Sequence, residues 1–137
     1  MPIIDHSQAP EVPWRPGYRK WDITTHEHGV STSLSLNTAE PGTGAPLHTH
    51  AIDELIVILS GALEVRINGE THRVEKDHTL VIPPGAEHAF RVVGEENAEL
   101  LVVFPDMDPY ANHNTTYLEG SRPAAYDESK QPTPSGD

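Results

Sequence analysis

The sequence has no cysteine and few basic residues, only nine lysines and arginines in 137 positions. Without cysteine, disulfide scaffolds, thiolate metal sites and cysteine nucleophiles are excluded, so a metal ion would need His, Asp, Glu or backbone oxygen as ligands. The 21 acidic residues give a formal net charge of -12. This charge argues against nucleic-acid and membrane partners, because nucleic acids and anionic membranes both attract a basic surface.

Long apolar runs are also missing. The longest, Leu55 to Leu59, has the length of a strand, and no segment approaches the length that crosses a membrane. The N-terminus has no basic region followed by an apolar run, so no secretion signal is predicted and a cytoplasmic location is expected. The length suits one domain with a single core.

Short β-type segments fill the middle of the chain, and no long stretch carries apolar residues at helical period. Turn residues recur roughly every 8–12 residues, and Asn68-Gly69 is the strongest hairpin signal. This pattern predicts an all-β sandwich or barrel. The predicted strands are 21–25, 30–36, 55–59, 62–67, 71–74, 79–82, 88–93 and 99–104.

Proline and polar residues mark the two ends of the domain. Four prolines among the first sixteen residues predict an extended N-terminal arm over 1–16. The barrel domain is predicted over 17–105, and residues 106–137 form a C-terminal extension. Because Pro, Ser, Asp and Lys are frequent at its end, the extension is predicted to be mobile from about residue 120.

Nine histidines are a high count for this length, and three of them stand in a suggestive pattern. His48 and His50 share a face if their segment is extended, and Glu54 lies an even number of residues from both, on the same face if the strand continues or after a small bulge. The rigid turn Pro83-Pro84-Gly85 delivers His88 at the start of a new strand. These four residues are therefore predicted to be metal ligands on the inner wall of a barrel.

The same segments resemble the two motifs of the cupin superfamily. The residues at the defining positions of the first motif, over 42–61, are Gly42, His48, His50, Glu54 and Gly61. Pro83-Pro84-Gly85 and His88 match the centre of the second motif, over 77–92, which departs from the usual pattern at Asp77-His78 and Val92. The resemblance implies a small single-domain bacterial cupin, a β-barrel or jelly roll of two antiparallel sheets. It also implies a homodimer and a divalent metal held by three histidines and one glutamate.

The charge of such a site constrains its ligand. Three neutral imidazoles and one carboxylate would leave a divalent ion with a net charge of about +1 and two open coordination positions. That suits an anionic or enolisable chelating substrate, or a substrate together with dioxygen. The predicted neighbours are largely apolar and favour a substrate with an apolar body. They are Leu47, Ile56, Ile58, Arg66, Phe90, Val92 and Phe104. Arg66 would bind a substrate carboxylate if it faces inward and would pair with a glutamate if it faces outward.

These features favour a metal-dependent dioxygenase. The alternatives are a redox-neutral isomerase, lyase or hydrolase, and a non-catalytic module that binds a small ligand or metal. Fe(II) is the favoured metal, although the same ligands accept Mn, Ni, Cu, Co or Zn. No side chain is predicted to be catalytic, and a water or oxygen on the metal is expected in that role. His26 and His28 also have metal-like spacing, but a solvated turn before Gly29 is favoured there.

Overall fold

A computed structural model of the protein describes residues 2–126, which form eleven β-strands and three 3₁₀ turns. The strands are β1 (Glu11–Arg15), β2 (Tyr18–Asp22), β3 (Ser33–Ala39), β4 (Gly44–His50), β5 (Glu54–Ser60), β6 (Ala62–Ile67), β7 (Glu70–Glu75), β8 (His78–Ile82), β9 (His88–Val93), β10 (Ala98–Phe104) and β11 (Thr115–Tyr117). The 3₁₀ turns are His6–Gln8, His26–His28 and Ala124–Tyr126. Among residues 2–126, no helix has the length and apolar character that spanning a membrane requires.

The strands form two antiparallel sheets. One has six strands in the order β1-β2-β3-β10-β5-β8, and the other has five in the order β11-β4-β9-β6-β7. Each sheet turns alternate side chains into a shared core, with Ile56 and Ile58 from β5 and Leu63 and Val65 from β6 almost fully buried. The predicted all-β fold of two antiparallel sheets is therefore confirmed.

The predicted strands match the structure best where the inward face is apolar. Strands β6 and β9 have the predicted bounds, whereas the strands expected at 21–25 and 30–36 lie at Tyr18–Asp22 and Ser33–Ala39. Three inward positions of β2 and β3 carry polar side chains, Lys20, Ser35 and Asn37, all buried. Because these polar residues interrupt the apolar alternation, the sequence pattern gave the wrong bounds for this pair.

Both ends of the described chain add strands to the sheets. Residues of the predicted N-terminal arm form β1, which pairs with β2 and is irregular between Val12 and Arg15, where Pro13 stands. Residues of the predicted C-terminal extension form β11, which pairs with β4. The segment predicted to be mobile from about residue 120 lies outside the described residues from position 127 onward.

Strand β4 lies very close to β9 at Gly44. A Cβ at this position would collide with the carbonyl oxygen of Phe90, which belongs to the backbone and cannot rotate away. Glycine is thus the one residue type that lets β4 approach β9 here. The close pairing matters for the site, because it brings His48 of β4 opposite His88 of β9.

Candidate metal centre

The four residues predicted as metal ligands lie together inside the barrel. His48 and His50 come from β4, Glu54 begins β5 and His88 begins β9. Each offers one ligand atom, and these atoms all lie within 4.8 Å of one another. All four residues are buried, with exposed fractions of 1–4%. The structure therefore forms a closed group of three imidazoles and one carboxylate.

Glu54 reaches this group by a different route from the one the spacing suggests. The strand does not continue from His50 to Glu54, since β4 ends at His50 and belongs to the five-stranded sheet, whereas β5 belongs to the six-stranded sheet. The chain crosses between the sheets over residues 51–53. Glu54 then faces the histidines across the barrel interior rather than from beside them.

Backbone carbonyl groups fix the orientation of two histidines. Nδ1 of His48 lies 2.6 Å from the carbonyl oxygen of Pro46, and Nδ1 of His88 lies 2.9 Å from that of Ala86. Because a carbonyl oxygen only accepts, each Nδ1 must carry the hydrogen and donate it. Each Nε2 then presents its lone pair to the group, which is the tautomer that a metal ligand requires.

Thr115 does the same for His50. Its hydroxyl donates to the carbonyl oxygen of Pro109 at 2.6 Å, so its lone pair accepts from Nδ1 of His50 at 2.7 Å. Thr115 was not among the predicted site residues, and it lies 65 residues from His50 on the short strand β11. All three histidines thus have an oxygen acceptor for Nδ1 and direct Nε2 inward.

The distances between the inward atoms fit a cation. Nε2 of His48 lies 3.2 Å from Nε2 of His50, and Oε1 of Glu54 lies 2.9 Å from Nε2 of His88 and 3.2 Å from Nε2 of His50. Two imidazole lone pairs this close repel each other unless a proton or cation lies between them. The donor set, two or more imidazoles with one carboxylate, suits divalent transition metals.

The electrostatics of the group also fit a metal site. Burial, assisted by the neighbouring His88, lowers the pKa of His48 to about 3, so this imidazole is neutral near pH 7. Burial opposes the charged form of Glu54, but the contacts with His50 and His88, which are hydrogen bonds when those rings carry a second proton, outweigh burial and hold the pKa of Glu54 well below its ordinary value. Burial also opposes the charge on His88, yet Glu54 outweighs it and raises the pKa of His88. The group therefore carries an ionised carboxylate.

The predicted pocket residues are only partly brought together. Ile56, Ile58, Val92 and Phe104 are buried in the core. The ring of Phe104 packs edge-on against His50, with 4.9 Å between ring centres, while the half-buried Phe90 lies against the ring of Tyr18.

Leu47 and Arg66 lie apart from this group. Leu47 is half-buried, and its carbonyl group bonds to the backbone of the segment that follows β11. Arg66 is exposed, and its guanidinium pairs with Glu119 at 2.9 Å. It therefore takes the outward of the two orientations considered for it.

Two tyrosines that were not predicted as site residues contact the histidines. Tyr117 stacks on His48 with 5.3 Å between ring centres and 27° between planes. Tyr110 lies edge-on to His50 at 5.8 Å. Strand β11 places Tyr117 opposite His48 and Thr115 opposite His50, so its two-residue spacing repeats that of the histidines.

The pair His26 and His28 is not part of this centre. These residues form a 3₁₀ turn that ends at Gly29. His26 is exposed and pairs with Asp108 at 2.9 Å, whereas Nδ1 of His28 accepts from the backbone of Thr25. Within residues 2–126, neither of them belongs to a group that could hold a metal ion.

Comparisons with known proteins agree on one family. The sequence profile described as the cupin domain matches residues 35–104. The chain is 30% identical over 102 residues to polyketide synthase CurC of Streptomyces cyaneus, which covers 74% of this chain and 65% of that protein. It is 35% identical over 65 residues to tetracenomycin polyketide synthase protein TcmJ of Streptomyces glaucescens, covering 47% of this chain and 42% of that protein. The chain thus spans less than two thirds of either relative.

Solved structures share the same architecture. The polyketide cyclase RemF from Streptomyces resistomycificus superposes with a TM-score of 0.72 at 18% identity, covering 96% of this chain and 94% of that chain. KdgF from Halomonas sp. superposes with a TM-score of 0.68 at 16% identity, covering 79% of this chain and 96% of that chain. At these identities the likeness establishes the fold.

Proposed function

This chain belongs to the cupin domain family, and from that premise we propose that its buried group of three histidines and Glu54 holds one divalent metal ion in an enzyme site. The substrate we propose is a small, enolisable, chelating anion with an apolar body. The observation that carries the proposal is the tautomer of the histidines. Each Nδ1 faces an oxygen acceptor, and each Nε2 faces the centre of the group.

The charge of the group supports this substrate class. Glu54 cancels one of the two charges of a divalent ion, and neutral imidazoles cancel none, so a net charge of about +1 would remain to attract an anion. When bound, the metal would supply a Lewis acid or a redox centre. The buried side chains of Ile56, Ile58 and Phe104 exclude water from the interior, which strengthens electrostatic interactions there.

Redox-neutral chemistry on a polyketide-like substrate is our first candidate reaction. An example is aldol ring closure, in which an enolisable carbon loses its proton and attacks a ketone carbon of the same chain, and the ketone oxygen takes up a proton. Two relatives, CurC and TcmJ, carry polyketide synthase names. Chains of alternating carbonyl groups are enolisable, become anionic and chelate metals, so they match the charge argument. The dioxygenase is the second candidate, because the same donor set accepts Fe(II) and an enclosed site would exclude water.

Metal and oxygen dependence separate these candidates. Protein purified without an affinity-tag metal column is first analysed for its metal content, then stripped and reloaded with Zn, Mn or Fe(II). Synthetic poly-β-ketones and catechols are supplied as substrates with and without oxygen. We expect conversion of a poly-β-ketone with a redox-inert metal and no oxygen. Oxygen consumption that requires Fe(II) would support the dioxygenase instead, and metal-dependent binding of every probe without conversion would support a non-catalytic module.

We also propose that the protein is a homodimer formed through the outer face of the six-stranded sheet. Leu55 and Val81 are direct cross-strand neighbours on this face, and with Leu59 they are 38–70% exposed. The outer face of the other sheet carries charged pairs such as Arg91 with Glu64. A cluster of exposed apolar side chains on one face and charges on the other favours burial of the apolar face against a second copy.

Light scattering tests this dimer through one substitution. Val81→Lys places a charge in the centre of the apolar face, so we expect the measured molar mass to fall from that of a dimer towards that of one chain. Thr71→Lys, on the exposed strand β7 of the other sheet, is the matched control and should remain dimeric. A wild-type protein with the mass of one chain at all tested concentrations contradicts the proposal.

A further inference from the structure

One buried cationic nitrogen has no hydrogen-bond partner among residues 2–126. It is Nη2 of Arg15. Buried polar atoms are almost always paired, and a donor on a charged group that stays unpaired carries a free-energy cost. Each such exception therefore calls for an explanation, and a bound water, ion or other partner at the site is one of them.

Arg15 lies one aromatic ring away from the candidate metal centre. It ends β1, and its guanidinium carbon lies 5.6 Å from the ring centre of Tyr117. The ring of Tyr117 in turn stacks on His48. The unpaired nitrogen therefore belongs to the same end of the barrel as the four-residue group.

A second guanidinium lies over the same ring. The guanidinium carbon of Arg122 is also 5.6 Å from the ring centre of Tyr117. Its nitrogens donate to the carbonyl oxygens of Tyr110 and Thr115 at 3.1 and 3.0 Å, so the side chain is held in place while its charge is not neutralised by these contacts. Tyr117 thus contacts two fixed positive charges and one candidate metal ligand.

These two arginines differ from most others in the chain. Arg19, Arg66 and Arg91 each pair with a glutamate. Within the part of the chain that the structure describes, no carboxylate lies within ion-pair distance of Arg15 or Arg122. Since the whole sequence has a net charge of -12, an uncompensated positive region beside a buried site is a local exception. Such a region attracts anions.

Tyr117 makes a side-chain hydrogen bond with Arg15, and Nη2 of Arg15 still has no partner among the described residues. Of the two arginines, Arg15 alone has a buried nitrogen without a partner in this part of the chain.

We propose that Arg15 binds the anionic group of the substrate, a carboxylate or a phenolate, on an aromatic or apolar body that reaches toward the four-residue group. This proposal for Arg15 rests on the proposed function in one respect, the placement of the substrate between Arg15 and the four-residue group. A carboxylate accepts the unpaired Nη2–H in a charge-assisted hydrogen bond. The flat body of an aromatic substrate suits the ring of Tyr117 beside it. Arg15 would thereby bind the substrate carboxylate, which is the role predicted for Arg66 if Arg66 faced inward.

The test compares two probes that differ in charge. Salicylate and its neutral analogue salicylamide are titrated into the full-length protein by calorimetry, both zinc-loaded and metal-free. We expect the wild type to bind salicylate at least about tenfold more tightly than salicylamide. In the metal-free protein, where no metal charge attracts the anion, Arg15→Gln should remove this preference, and the zinc stoichiometry of the variant should stay unchanged. Arg66→Gln, which removes an outward-facing arginine, is the matched control and should keep the preference.

Several outcomes would overturn the proposal. In the metal-free protein they are an Arg15→Gln variant that keeps the preference, a wild type without one, and an equal loss in Arg66→Gln. If Arg15→Gln does not stay folded, Arg15→Lys is measured instead. Salicylate binding weaker than in the wild type, with unchanged salicylamide binding, supports the role of Arg15. Wild-type affinity for both probes contradicts it. Because no readout involves turnover, a protein that binds salicylate through Arg15 but converts no substrate would contradict only the proposed function.

Discussion

His88→Ala is expected to abolish stoichiometric binding of a divalent metal. His88 is the one ligand that β9 contributes, and its Nε2 lies 2.9 Å from Oε1 of Glu54. Removing it takes away one of four donors and one of the two imidazoles whose Nε2 lies within 3.2 Å of the buried carboxylate. Loss of a group that only orients a ligand lowers metal affinity about 10–100-fold, so loss of the ligand itself should exceed about 100-fold.

Metal analysis after purification without a metal column, followed by competition with a chromophoric chelator, measures this effect. His72→Ala is the matched control, since His72 is exposed on β7 and its ring lies 3.3 Å from a carboxylate oxygen of Glu70, away from the four-residue group. We expect wild-type affinity in the control. An equimolar metal content and unchanged affinity in His88→Ala would show that the four-residue group is not the metal site.

Local spacing was sufficient to select the four residues that the structure brings together but not to explain their geometry. His48 and His50 share a face because they are two residues apart on one strand. Glu54 joins them because the chain changes sheets between β4 and β5, which no local period encodes. The even spacing thus selected the correct residue, while the position of that residue depends on the packing of one sheet against the other.

Contacts between segments that are far apart in the chain could not be predicted from the sequence. Thr115 and Tyr117 pair with β4 from a strand of three residues in a segment that the sequence assigned to an extension. Arg15 comes from a stretch that gives no strand signal, because prolines argue against a strand. The structure accommodates Pro13 by an irregular pairing between Val12 and Arg15. The candidate metal ligands were therefore predictable from motif and period. The groups that orient them, and the charges that surround them, depend on the tertiary fold.

Thr115→Val is expected to weaken metal binding about 10–100-fold without removing a ligand. Valine keeps the shape of threonine but lacks the hydroxyl that accepts from Nδ1 of His50 and donates to Pro109. His50 would then be free to rotate or to change tautomer, so its Nε2 would be directed inward for less of the time. The two buried groups left unpaired should also lower the free energy of unfolding by about 1–3 kcal/mol.

Chelator competition measures the affinity, and thermal unfolding of the metal-free protein measures the stability. Thr116→Val is the matched control, because Thr116 is the exposed neighbour on β11 and should leave the metal affinity unchanged. A loss of stability with unchanged metal affinity in Thr115→Val would mean that Thr115 only packs β11 against β4. A loss of affinity in Thr115→Val but not in Thr116→Val would show that the hydroxyl orients His50, since the two changes remove the same atoms one residue apart.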